Sequence, residues 1–133
     1  MYLLDTDMCI YIINKRPNSV VKKICGLNPY DVKVSSVSAA ELEYGVSKSK
    51  RRDQNRLALY NFLSSFEIIP FDTQDVEIYG LIRAELECQG KVIGPYDMQL
   101  AAQALARNLI LVSNNTAEFK RIPKLRLENW SGR

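Results

Sequence analysis

The chain contains no histidine among its 133 residues. That absence removes imidazole acid–base catalysis, serine–histidine triads and ordinary histidine-ligated zinc sites. A hydrolase built from this sequence has to work with carboxylates and a hard metal. Cysteine is scarce too. Cys9, Cys25 and Cys88 are odd in number, lack metal-site spacing, and read as reduced thiols of a cytosolic protein. No basic segment followed by an apolar core and a cleavage site stands at the N-terminus. No apolar run approaches the ~20 residues that span a bilayer. A cytoplasmic protein with no membrane partner is therefore expected.

What is present suits a single folded domain over residues 1–133. Apolar residues make up 47% of the sequence, which argues against disorder. The net charge of +3 is small but unevenly spread. Between Lys48 and Arg56 there are five cations and one acid. Lys48, Lys50, Arg51 and Arg52 are candidates for contacts with nucleic-acid phosphates, the alternative being a solvated helix face. Lys120, Arg121, Lys124 and Arg126 form a second cluster open to the same two readings.

Hydrophobic patterning gives the frame. Tyr2-Leu3-Leu4 is an apolar run ending in Asp5-Thr6-Asp7, as a short buried strand would. Asp7 is placed to cap a helix over 7–14, and a second helix covers 18–27. Strand 32–34 leads into a helix over 37–48, whose Ser38-Ala39-Ala40-Glu41 matches a capping box. The helix over 52–65 offers Leu57, Leu59, Tyr60 and Leu63 as its apolar side. Strand 66–71 follows, shortened by Pro70. A long helix begins at Asp72 and ends near Gly90, with Val76, Tyr79, Ile82 and Leu86 as its buried stripe. The turn 93–97 opens another helix, whose Leu100, Ala101, Ala104 and Leu105 face inward. Leu109–Val112 is the most apolar strand and should be central and parallel. A short helix after Ser113 and an edge strand at 125–127 complete the chain. Strands alternating with helices predict an α/β fold with a parallel sheet covered on both faces.

The acids sit where such a fold places ligands. In open α/β sheets these bind beyond the carboxyl ends of the strands. Asp5, Asp7, Glu41, Asp97, Asn115 and Glu118 all fall at strand ends or helix starts. Several have a structural alternative. Asp7 can be an N-cap, Glu41 can complete the box with Ser38, and Asp97 can serve the first turn of its helix. Asn115-Thr116-Ala117-Glu118 is itself an N-x-x-E cap pattern. Asp5 has the least structural purpose. Converging carboxylates without histidine or cysteine describe a magnesium or manganese site, since these ions take oxygen ligands.

Asp5-Thr6-Asp7 also fits a D-x-D after an apolar strand, as in phosphatases of the haloacid dehalogenase superfamily. That pattern continues to Thr or Val where this chain has Cys9, and the later G-D-x-x-x-D type acid pair is absent. A phosphoacceptor receiver domain fits less well, because Ser113-Asn114-Asn115 follows the last central strand where a lysine is wanted.

Five segments in order resemble a PIN-domain ribonuclease, specifically the VapC-type toxins of bacterial toxin–antitoxin pairs. They are Leu4-Asp5-Thr6-Asp7, Ser36-Val37 with Glu41 to Gly45, Gly80 to Leu86, Ile93 to Asp97, and Val112 to Asn115 through Glu118-Phe119. The resemblance implies a PIN-like three-layer α/β/α fold around a mostly parallel five-stranded sheet. It implies a Mg²⁺-dependent endoribonuclease, with Mn²⁺ able to substitute. Asp5, Glu41 and Asp97 match the family's acids, and Asp5 and Asp97 would hold the metal. Asn115 takes the fourth position, with Asp7, Ser113 and Glu118 supporting from behind. The family often has Asn where Asp7 stands; the extra acid either tightens metal binding, disturbs the geometry or caps the helix. A homodimer, a VapB-type antitoxin partner in a hetero-oligomer, and an RNA substrate are also implied. Transfer RNA is the expected target, with inhibition of translation as the result. The alternative from another class is a catalytically silent PIN-like binding module.

Overall fold

The computed structural model describes residues 1–132. In chain order the elements are β1 (Tyr2–Leu4), α1 (Thr6–Asn14), α2 (Asn18–Cys25), a 3₁₀ turn (Pro29–Asp31), β2 (Val32–Ser35), α3 (Ser36–Ser47), α4 (Arg52–Leu63), β3 (Glu67–Ile69), α5 (Thr73–Cys88), α6 (Pro95–Ala106), β4 (Ile110–Val112), α7 (Thr116–Phe119) and β5 (Leu127–Glu128). The five strands lie in the order β3-β2-β1-β4-β5. Every pairing is parallel, so the sheet is wholly rather than mostly parallel.

Side chains alternate across the sheet, and this builds two cores. Leu3 and Leu111 face α5 and α6, packing with Ile82, Leu86, Met98 and Phe119. Leu4, Val32, Val34 and Val112 face α1 to α4, with Met8, Val20, Leu59 and Trp130. Leu3 and Leu4 are both fully buried, and burying a leucine side chain contributes about 1.5–3 kcal/mol. Two adjacent leucines thus anchor both helical layers, as an interior strand requires. The apolar Ile110–Val112 strand is interior, one place from the centre.

Four local expectations are corrected. Leu57 and Tyr60 are 62% and 69% exposed; Leu59 and Phe62 form the buried side of α4. Val76 points to solvent, and the buried stripe of α5 begins one residue earlier, at Asp75. That aspartate accepts from Arg107 and completes a capping box with Asp72. Ser35, not Ser38, caps α3, accepting from the Val37 N–H at 3.0 Å. Asp5, not Asp7, caps α1: its carboxylate accepts from the Met8 N–H at 2.9 Å.

Candidate active site

Register brings the first site residues together. Leu4 pairs with Val34 on one side and Val112 on the other. Asp5 therefore leaves the sheet next to Ser113, and its N–H donates to the Val112 carbonyl at 3.0 Å. This is the point between β1 and β4 where the strand order reverses, the expected crevice of a parallel α/β sheet. Asp97 enters from the first turn of α6, and Glu41 from the second turn of α3.

A hydrogen-bonded chain fixes one side. The Ser113 hydroxyl bonds the Asp5 carboxylate and accepts from the Asn115 N–H at 2.9 Å. The Asn115 side-chain amide donates to Glu118 at 2.9 Å. Asn115 therefore does not cap α7 with its side chain. On the other side, Thr6 Oγ1 donates to Glu41 Oε1 at 2.9 Å and lies 3.0 Å from Ser38 Oγ. Glu41 and Ser38 thus meet through Thr6 rather than as a capping box. In the sequence Thr6 stands only as the spacer of D-x-D, and no local pattern marks its partner Glu41.

Electrostatics links the acids through mutual repulsion. Burial lifts the Asp5 carboxyl to about 6, with Asp7 and Asp97 adding repulsion against hydrogen bonds from Ser113 and Met8. Burial likewise raises Asp97 to about 6, followed by repulsion from Glu118, Glu41 and Asp7. Asp5, Asp7, Glu41, Asp97 and Glu118 thus share one neighbourhood. Among the described residues no lysine or arginine forms an ion pair with any of them. Excess negative charge with oxygen-only donors is what a divalent cation relieves, and in that respect the residues fit the implied metal. Among the described residues no group of three or more Asp, Glu, Cys or His side chains is gathered closely enough to hold a metal ion. The acids share a field rather than a ready coordination sphere.

A groove of about 1150 Å³ lies between α1, α3 and α4, and of the five acids Asp7 and Glu41 line it. Thr6, Asp7, Glu41 and Tyr96 stand at its acidic end, and Lys48 and Asn55 also line it. Lys50, Arg51 and Arg52 are exposed at the α3–α4 junction. The second basic cluster is partly committed elsewhere. Arg126 donates to Asn108 at 2.6 and 3.0 Å, and Arg121 reaches the carbonyls of Lys91 and Val92.

Comparison with known proteins shows the family. The PIN domain family model matches residues 2–125. The chain is 48% identical over 131 residues to ribonuclease VapC2 of Rickettsia felis, covering 98% of each chain. It is 40% identical over 130 residues to the tRNA(fMet)-specific endonuclease VapC of Shigella flexneri, again covering 98% of each. The toxin–antitoxin complex VapBC2 from Rickettsia felis, solved on a DNA fragment from its promoter, contains a chain that superposes with a TM-score of 0.91. That chain is 48% identical, and the match covers 97% of this chain and 98% of that one. Asp5-Thr6-Asp7 thus lies inside a PIN match and not in a haloacid dehalogenase-like phosphatase. The chain belongs to the PIN-domain family and, within it, to the VapC ribonucleases.

Proposed function

We propose that the chain is the toxin of a toxin–antitoxin pair and hydrolyses transfer RNA with a Mg²⁺ or Mn²⁺ ion held by Asp5 and Asp97, thereby inhibiting translation. The observation that carries this reading is the neighbourhood of five acids, none with a cationic partner among the described residues, at the switch point of the sheet. A bound cation would supply the positive charge that balances a phosphodiester and the charge developing on its leaving oxygen. The chain's own residues do the rest. Asp5 is held by Ser113, and Thr6 fixes Glu41 to orient the attacking water and take its proton. Asn115 steadies Glu118 behind Asp97. Attack by water with the 3′-oxygen as the leaving group leaves 5′-phosphate and 3′-hydroxyl ends.

Transfer RNA is favoured by the likeness to the Shigella enzyme named for tRNA(fMet). A VapB-type antitoxin in a hetero-oligomer is favoured by the superposition on the Rickettsia complex. A homodimer and a cytoplasmic location complete the reading; among the described residues no helix is long and apolar enough to cross a membrane. Lys48, Lys50, Arg51 and Arg52 are assigned to the RNA backbone.

The test is incubation of the purified chain and of Asp97→Asn with total bacterial transfer RNA, with Mg²⁺, with Mn²⁺ and with EDTA. Discrete fragments that need metal, carry 5′-phosphates and vanish in the variant are expected. Fragments ending in 2′,3′-cyclic phosphate overturn the mechanism. No cleavage by folded, antitoxin-free protein turns the chain into a binding module.

A further inference from the structure

Helix α1 stands between two cavities. Asp7 and Glu41 line the groove on one flank. On the other, a second cavity of about 660 Å³ is lined by Tyr11, Asn14, Arg16, Asn114, Asn129 and Ser131 together with Ile10 and Pro17. Ile10 and Asn14 line both, so the two adjoin across α1.

The second cavity differs in charge from the first, which Asp7, Glu41 and Lys48 line among mostly apolar residues. Among the described residues no carboxylate lines the second cavity. Arg16 is exposed, and its guanidinium has no hydrogen-bond or ion-pair partner among the described residues. Asn114 donates its amide to the Tyr11 hydroxyl at 2.7 Å. That bond leaves Tyr11 its own proton to donate and Asn114 its amide oxygen to accept. Asn129 is already engaged, accepting from the Ser131 N–H and hydroxyl at 2.9 and 2.6 Å. Asn114 also sits in sequence between Ser113 and Asn115, the two residues that tie Asp5 to Glu118. A contact made at Asn114 is thus one residue from the acidic site on either side.

We infer that this cavity is an RNA subsite, holding one nucleotide next to the scissile phosphodiester. Arg16 takes its phosphate, and Tyr11 and Asn114 meet its base or sugar. The assignment rests on the ribonuclease reading above. An unpaired guanidinium suits a phosphate, and neutral amides and hydroxyls suit base edges and the 2′-hydroxyl. The volume lies within the range of small-ligand sites.

The test compares Arg16→Ala, Arg16→Lys and the parent on transfer RNA under saturating Mg²⁺, with Lys23→Ala on α2 as an equal change of charge elsewhere. Binding of a labelled single-stranded oligoribonucleotide is followed against salt in an Asp97→Asn background. Arg16→Ala should raise KM about five- to tenfold with kcat little changed, and lower the salt slope of binding by about 0.7, the value for one phosphate contact on a single strand. Arg16→Lys should recover part of the loss, and Lys23→Ala should match the parent. Equal KM and equal slope in parent and Arg16→Ala overturn the subsite while leaving the nuclease intact. Loss only of affinity for a co-purified antitoxin also overturns it, in favour of a protein contact. A parent that cleaves no RNA removes the reading on which the subsite rests, and the subsite with it.

Discussion

Thr6 donates its hydroxyl proton to Glu41 across 2.9 Å, joining the first residue of α1 to a carboxylate of α3 that is 35 positions away in sequence. A free glutamate side chain samples many rotamers, and ordering it costs up to about 1.5–2 kcal/mol. The bond meets part of that cost before substrate arrives. Thr6 is therefore a positioning residue for Glu41.

Thr6→Val keeps the shape and removes the donor. Activity on transfer RNA should fall about tenfold or more, and Thr6→Ser should recover most of it. Stability should change by only about 1 kcal/mol, the net worth of one such bond. Comparing kcat with thermal unfolding separates the two effects. Equal kcat in wild type and Thr6→Val would show that Glu41 needs no tether.

Asp5 has two roles that substitution separates. Its carboxylate caps α1 through the Met8 N–H, and its negative charge belongs to the acidic neighbourhood. Asn caps a helix about as well as Asp, whereas Ala forfeits about 1 kcal/mol. Asp5→Asn should therefore abolish cleavage yet fold at least as stably as the parent at neutral pH. Asp5→Ala should be inactive and the less stable of the two variants. Denaturant unfolding in EDTA, beside cleavage assays, checks the ordering.

The same residue gives a pH dependence with a definite sign. The Asp5 carboxyl is raised from 3.8 to about 6, mainly by burial. The folded chain thus holds this proton more tightly than the unfolded chain. Its stabilising contribution is complete below about pH 4, is lost as pH rises towards 6, and stays lost above. A shift of that size corresponds to about 3 kcal/mol. Metal-free wild type should lose stability relative to Asp5→Asn between pH 4 and 7, and added Mg²⁺ should restore it at pH 7. Parallel stability curves for the two proteins would contradict the raised value.

These results show what was legible in the sequence. Alternation of apolar runs and amphipathic segments was enough for a parallel α/β sheet, because Leu3-Leu4 and Leu111-Val112 have to satisfy two helical layers at once. Six polar residues fall at strand ends or near helix starts, each open to a structural reading, and only the resemblance to the PIN family picks out Asp5, Glu41 and Asp97 among them. The capping assignments were shifted because several adjacent residues could cap each helix, and only the sheet register decides which one leaves the strand first. Thr6 and Asn114 were silent for another reason. Their partners, Glu41 and Tyr11, are distant in sequence, and no local periodicity encodes such a contact.

Asp75 and Arg107 show a similar blind spot in the core. Asp75 is fully buried, and it accepts from Arg107 and from the Asp72 N–H at 2.9 Å. Arg107 also donates to the Pro70 carbonyl at 3.1 Å. Removing one partner of a buried pair costs about 3–5 kcal/mol, because the other charge is left without compensation. Arg107→Met should lower the unfolding temperature sharply. Adding Asp75→Asn should recover part of the loss. Metal-dependent cleavage by the fraction still folded should be unchanged, since neither residue lines the acidic groove.

The two basic clusters should part company under salt. Arg51 and Arg52 are exposed and form no ion pair among the described residues, so their charge is available to an RNA backbone. Arg121 and Arg126 spend their guanidiniums on carbonyls of their own chain. Replacing Arg51 and Arg52 by Ala should weaken RNA binding and flatten its salt dependence, while unfolding is little affected. Replacing Arg126 by Ala should do the reverse, lowering stability by about 1 kcal/mol through the lost bonds to Asn108 and leaving the salt slope in place. The contrast turns on committed against uncommitted donors, since both clusters carry the same sign. Equal salt slopes in wild type and the Arg51/Arg52 variant would return the α3–α4 junction to an ordinary solvated surface.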